Sequence, residues 1–167
     1  MPKVYFITLS VCLMPFVIII TNQVVKVFVR EGRLRILRRR QLSKNCTLDD
    51  RFNLAKLYTL RKQWFSSIRI LEFCLQNKVE HKYIYLNALG FCYYNIKHYD
   101  SARDYYIKAI HYKKDYTLAL NNLAKTYLST ENYSEALRIY ELILDYSPDC
   151  MRVKENIKSL RSRDSRI

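Results

Sequence analysis

The sequence predicts an all-α protein: one membrane-length N-terminal helix, then helix-turn-helix units of equal length nested side by side, closed by a final helix. Three observations carry that reading. The 167 residues include only two glycines and three prolines, too few for the Gly-bearing turns that β-hairpins and sandwiches need at regular intervals. An uncharged run of 22 residues, Val4–Val25, opens the chain. Further on, the chain repeats itself at a fixed period.

The first element follows from that run. At 1.5 Å per residue, 22 helical residues reach about 33 Å, enough for the hydrocarbon core of a bilayer. Pro15 lies in its middle, which a membrane helix accommodates as a kink. A cleaved signal peptide would need a basic start, a shorter apolar core and a small-residue cleavage site. Lys3 is the one basic residue before the run, and nothing resembling A-x-A follows it. The expectation is an uncleaved transmembrane helix over 4–25.

A basic juxtamembrane linker, 26–47, comes next. It holds eight basic residues, Lys26, Arg30, Arg33, Arg35, Arg38, Arg39, Arg40 and Lys44, against Glu31 alone. The net charge of +14 would ordinarily raise nucleic acid as a partner. Half of it sits in this one stretch, and the 20 basic residues from Leu48 onward face 14 acidic ones. Charge beside a membrane span serves topology and lipid headgroups, so no nucleic acid is expected. The positive-inside rule keeps the cluster on the side of synthesis, cytoplasm or plastid stroma. Val27, Val29, Leu34, Ile36 and Leu37 between the charges suit a helix lying on an anionic leaflet, with Lys26, Arg30, Arg33, Arg35, Arg38, Arg39 and Arg40 as its membrane-surface residues. A solvated stalk is the other reading.

The repeats occupy 48–150, in copies at 48–82, 83–116 and 117–150. At a shift of 34, Leu86 meets Leu120, Leu89 meets Leu123, Gly90 meets Ala124, Tyr93 meets Tyr127, Tyr99 meets Tyr133, Ala102 meets Ala136 and Tyr106 meets Tyr140. A more degenerate copy, shifted by 35, places Leu54, Ala55, Tyr58, Trp64, Ser67, Leu71 and Cys74 at the equivalent positions. The extra residue is expected between Val79 and Lys82. These residues resemble the tetratricopeptide repeat (TPR), W/L-x-x-L-G-x-x-Y followed by A-x-x-x-F/Y, A and P. Pro148 fills the proline position and Lys114 departs from it. The resemblance implies a right-handed superhelix of three helical hairpins. Small residues (Ala55, Gly90, Ala124; Ser67, Ala102, Ala136) let the paired axes approach. Trp64, Tyr99 and Tyr133 should wedge near the turns, and Asp49 with Asp50 marks a helix start. Residues 151–167 form the capping helix and tail, with Cys150, Val153, Ile157 and Leu160 on one face.

Chemistry is sparse. His81, His98 and His111 are scattered, two glycines cannot build a phosphate loop, and no nucleophile motif exists. No catalytic residue, metal or cofactor is expected. The five cysteines lack C-x-x-C spacing and read as free thiols, Cys74 and Cys92 on buried faces. Function is then recognition. The first helices of stacked hairpins line a concave channel of peptide size. Projected onto it, the repeat offers Phe52, Lys56 and Thr59; Ile84, Asn87, Phe91 and Tyr94; Leu118, Asn121, Lys125 and Leu128. The groove filled by the chain's own linker or last helix is the alternative.

TPR domains that hold chaperone C-termini use a clamp of Lys, Asn, Asn, Lys and Arg. The matching positions here are Phe52, Lys56, Ala88, Leu118 and Asn122, and Lys56 alone agrees, which disfavours chaperone docking. The layout of one span, a basic stretch and about three TPR copies resembles the photosystem I assembly family of plastids and cyanobacteria, the hypothetical chloroplast open reading frame 37. That resemblance implies a stroma-facing thylakoid protein whose partners are photosystem I subunits or assembly intermediates and, through the anchor, the bilayer. A bacterial inner-membrane TPR scaffold for secretion or cytochrome maturation, facing the cytoplasm, and a helical-repeat RNA-binding protein are the alternative readings.

Overall fold

The computed structural model describes residues 2–41, 47–77 and 79–164; within the first helix the described side chains are those of residues 12–29, 31, 32 and 35–37. Among the described residues eight helices follow one another: α1 Pro2–Gln41, α2 Leu48–Leu60, α3 Trp64–Gln76, α4 Lys82–Asn95, α5 Tyr99–Tyr112, α6 Thr117–Ser129, α7 Tyr133–Tyr146 and α8 Met151–Asp164. Among the described residues there is no strand. The chain forms two compact units, Met1–Asp50 and Arg51–Ile167.

In the first unit α1 is one continuous helix that carries Pro15 inside it. The segment Cys12–Val29 is long and apolar enough to cross a membrane, and none of it is buried. Phe28 is 70% exposed and Ile20 62%. Its one described hydroxyl in a hydrogen bond, Thr21 Oγ1, donates to the Val17 carbonyl at 2.7 Å, so the polar group is satisfied within the helix. Lys44 and Cys46 lie outside the described residues. At the start of α2, Thr47 Oγ1 accepts from the Asp50 amide at 3.1 Å, and Asp50 Oδ2 accepts from the Thr47 amide at 3.4 Å. That reciprocal capping box is what the adjacent acids foreshadow.

In the second unit the helices alternate as pairs. From α3 onward the helices bury Leu, Ile, Tyr and Ala against their chain neighbours: α3 on α4, α4 on α5, α5 on α6, α6 on α7 and α7 on α8. The first helices of adjacent pairs, α4 and α6, also touch. All six small residues singled out by the repeat are buried: Ala55, Gly90, Ala124, Ser67, Ala102 and Ala136. A Cβ on Gly90 would stand 2.6 Å from Cε1 of Tyr106, so glycine is required there by contact, not by backbone angle. The Ser67 hydroxyl, where the later pairs have alanine, donates to the Ala55 carbonyl at 3.0 Å, so the buried polar group is not orphaned.

The largest core runs from Ala102 and Tyr106 through Leu120, Leu123, Tyr140 and Ile143 to Val153, Ile157 and Leu160 of α8, the face assigned to capping. Cys74 and Cys92 are fully buried thiols, and burial raises the Cys92 pKa above its ordinary value. Trp64 packs edge-on to Phe91 at 6.1 Å and Tyr99 lies tilted against Tyr94 at 5.5 Å. Tyr133, at 41% exposure, is the least wedged of the three turn rings.

The turns explain how so few glycines suffice. Lys62, Lys97 and Glu131 hold φ of 58°, 64° and 58°, one left-handed residue at the same place in each pair. The next amide closes back onto the preceding helix, Gln63 to Tyr58 at 2.9 Å, His98 to Tyr93 at 3.0 Å and Asn132 to Tyr127 at 2.9 Å. This is the Schellman closure, with Lys and Glu standing where glycine is usual. The linkers between pairs differ by one residue, 77–81 against 113–116, which accommodates the change in shift from 35 to 34.

A groove along the first helices

The first helices of the pairs enclose a groove of about 490 Å³ in the second unit. Its walls are Phe52, Lys56, Thr59 and Leu60 of α2, Ile84, Asn87, Ala88 and Phe91 of α4, and Leu118 and Asn122 of α6, with Tyr116 at one end. Ala55, Ser67 and Leu71 form its floor. These side chains face one way because positions three or four apart share a helix face.

Its chemistry is apolar with an amide pair. The Asn122 amide donates to Asn87 Oδ1 at 2.9 Å, joining α6 to α4 across the groove. Burial raises the Tyr116 phenol's pKa, the nearby Tyr83 adds to the rise, and a hydrogen bond from Asn87 offsets part of it. Lys56 is the one charged side chain among the described lining residues, and its Nζ rests 4.4 Å from the Phe52 ring centroid. That ring face holds the ammonium at the wall. Phe91 is 39% exposed and offers an open apolar surface. Among the described residues no group of three or more His, Cys, Asp or Glu could hold a metal.

Of the projected recognition residues, Phe52, Lys56, Thr59, Ile84, Asn87, Phe91 and Leu118 come together here. Tyr94, Asn121, Lys125 and Leu128 do not line it. Tyr94 Oη instead lies 2.9 Å from Ser129 Oγ, tying the end of α4 to that of α6. Asn121 Nδ2 donates to the Thr117 carbonyl of its own helix at 3.1 Å. Lys125 is exposed, and Leu128 packs on the core beside α8, where it also lines a small hollow with Tyr133 and Leu160. The residues missed, above all Ala88 and Asn122, had a signal. All five positions that match the chaperone clamp, Phe52, Lys56, Ala88, Leu118 and Asn122, line this groove. Of the membrane-surface candidates, Lys26 and Arg35 are exposed on α1. The side chains of Arg30, Arg33, Arg38, Arg39 and Arg40 lie outside the described residues.

Comparison with known proteins agrees with the fold. A family model of the tetratricopeptide repeat matches residues 96–161. MamA is similar in structure, with a TM-score of 0.72 at 19% identity over 81% of this chain and 79% of that one. So is the first TPR of Spaghetti (RPAP3) bound to the HSP90 peptide SRMEEVD, with a TM-score of 0.64 at 13% identity over 71% of this chain and 95% of that one. In sequence, the chain is 27% identical to the uncharacterized protein ycf37 of Porphyra purpurea over 87% of its length and 88% of that protein's. The Guillardia theta ycf37 is 28% identical over 100% of this chain and 98% of its own. The stacked helix pairs thus have the TPR fold, and along nearly its whole length the chain is similar to the ycf37 proteins of plastid genomes.

Proposed function

We propose that the chain is a membrane-anchored protein-binding factor that assists assembly or stability of photosystem I at the thylakoid membrane, with its repeats facing the stroma. In this reading 4–25 is the transmembrane helix, 26–47 the basic juxtamembrane segment, 48–150 the three repeats and 151–167 the cap and tail. The single observation that carries it is the apolar groove of about 490 Å³ with its cross-helix amide pair, a site fit to bind a protein segment and to do little else. The unburied apolar face of Cys12–Val29 supports the anchor, and the basic residues after it support the orientation. The plastid ycf37 relatives and the resemblance to the photosystem I assembly family support the client class. The groove's chemistry also indicates the kind of segment. With one lysine on its walls, it lacks the cationic clamp that an acidic chaperone tail needs, and it suits an apolar stretch whose backbone meets the asparagines.

Affinity capture from detergent-solubilised thylakoids tests this. The wild-type chain is expected to retain photosystem I subunits, and Phe91→Ala/Asn122→Ala to reduce capture about tenfold or more, the loss of one apolar anchor and one amide. Equal capture by both proteins would remove the groove from the reading, and capture of no photosystem subunit would remove the client.

A further inference from the structure

A second hollow, of about 610 Å³, lies between α3, the start of α4 and α5, and shares none of the groove's described lining residues. Its floor is aliphatic, Leu75 and Leu86, with the more exposed Ile107 at its edge. Its rim is cationic or basic: Lys82, Lys108 and His111, with Tyr112 beside them. Among the described residues no aspartate or glutamate lines it. Ile107 is 46% and Tyr112 58% exposed. The rim ammoniums are held over rings, Lys82 Nζ 5.9 Å from the Tyr112 centroid and Lys108 Nζ 5.3 Å from that of Tyr105. Cations held this way leave less side-chain entropy to be lost when an anion arrives.

We propose that this hollow docks an acidic protein segment carrying a bulky apolar anchor, giving the repeat domain a second interaction face beside the groove. The apolar floor takes the anchor, and the two lysines face carboxylates on either side of it. Charge complementarity sets the partner's sign, because the rim is positive without a counter-charge in the lining. The recessed floor sets its class. A membrane-binding face must push its apolar residues outward into the headgroups, whereas Leu75 and Leu86 sit at the bottom of a cavity that a protruding side chain can enter.

The test uses the full chain in neutral detergent and a fluorescein-labelled peptide, acetyl-EDELFDED-amide. Saturable binding is expected that weakens as salt screens it. Lys82→Glu/Lys108→Glu should weaken it at least about tenfold, and Ile107→Ser about fivefold, the size of one lost apolar contact. A peptide with Ser in place of Leu and Phe should bind as poorly. All three positions are partly or fully exposed, so the variants should keep the wild-type melting profile. Phe91→Ala, in the groove, should bind the peptide as wild type does, so this result is separable from the capture experiment above. No saturable binding, unchanged binding by the double charge reversal, or loss with Phe91→Ala would overturn the proposal. Displacement by dihexanoyl-phosphatidylglycerol but not by dihexanoyl-phosphatidylcholine would give the face to lipid headgroups and overturn it as well.

Discussion

The middle helix pair, α4/α5, and the pair after it, α6/α7, share one template and differ at their closest contact. Gly90 lies against Tyr106 in one, and Ala124 stands at the same register as Tyr140 in the other. Both tyrosines are 1% exposed. In the middle pair the backbone of α4 meets the Tyr106 ring with no room for a methyl group, 2.6 Å to Cε1; in the next pair a methyl group is already in place. The repeat motif thus specifies a small residue, and the local ring position decides which one. A consensus residue is an average over environments that differ by tenths of an ångström.

Substitutions at that register can break the comparison. Gly90→Ala is expected to destabilise by about 1–3 kcal/mol despite its better helix propensity, because the buried ring has nowhere to go. Ala124→Gly should cost about 1 kcal/mol for the ordinary reason of propensity. The first pair has Ala55 and Leu71 at these places, so Gly90→Ala/Tyr106→Leu should recover part of the loss, whereas Gly90→Ala/Tyr106→Phe should not, since the contact is with ring carbons. Thermal or urea unfolding of the wild type, these four variants and the single changes Tyr106→Leu and Tyr106→Phe reads the cycles. Equal costs for the two single changes would abolish the distinction.

Alkaline unfolding gives a smaller effect. The Tyr93 phenol of the middle pair donates to Glu72 Oε1 of α3 at 3.2 Å, and its ring stacks on Tyr105 at 5.3 Å. Burial first, then the Glu72 charge and Tyr105, push its pKa up to about 12 from 10.0. Burial also raises Tyr105, again helped by Glu72. A phenol raised in the fold stabilises it fully below the ordinary value and ceases to do so as pH climbs through the folded value. Stability should therefore be insensitive to this pair near neutrality and fall between about pH 10 and 12, and Tyr93→Phe should flatten part of that fall. A fall unchanged in Tyr93→Phe would sever the link. The smallest effect belongs to the cap. Arg161 of α8 donates to Glu141 of α7 at 2.8 Å, with both side chains about half exposed, and Glu141→Gln should cost about 0.2–1 kcal/mol, less in high salt. A larger loss in a melting experiment would mean that the cap rests on this pair and not on Val153, Ile157 and Leu160.

Much of this was legible in the sequence. Period and small-residue register gave the pairs, because helices of fixed length can nest only if every turn returns in phase, and the small residues Ala55 to Ala136 are all buried. The groove was half legible. On α2 and α4 the projected Phe52, Lys56, Thr59, Ile84, Asn87 and Phe91 line it and Tyr94 does not, because its hydroxyl meets Ser129; on α6 Leu118 lines it, while Asn121 turns to the Thr117 carbonyl, Lys125 faces solvent and Leu128 packs on the core. Asn122 faces the groove because it stands four residues after Leu118, on the same helix face. The cationic hollow was not legible at all, since Ile107 and Lys108 of α5 are far in the chain from Leu75 and Lys82 and only packing makes them neighbours.

The left-handed residues of the three hairpin turns carry a consequence for how this fold can change. A lysine or glutamate there costs about 1–2 kcal/mol that glycine would not, against the greater freedom glycine restores to the unfolded chain. Lys62, Lys97 and Glu131 are exposed and line neither the groove nor the cationic hollow. Robustness can therefore be added or withdrawn at three solvent-facing corners one residue at a time, leaving the walls of both hollows untouched.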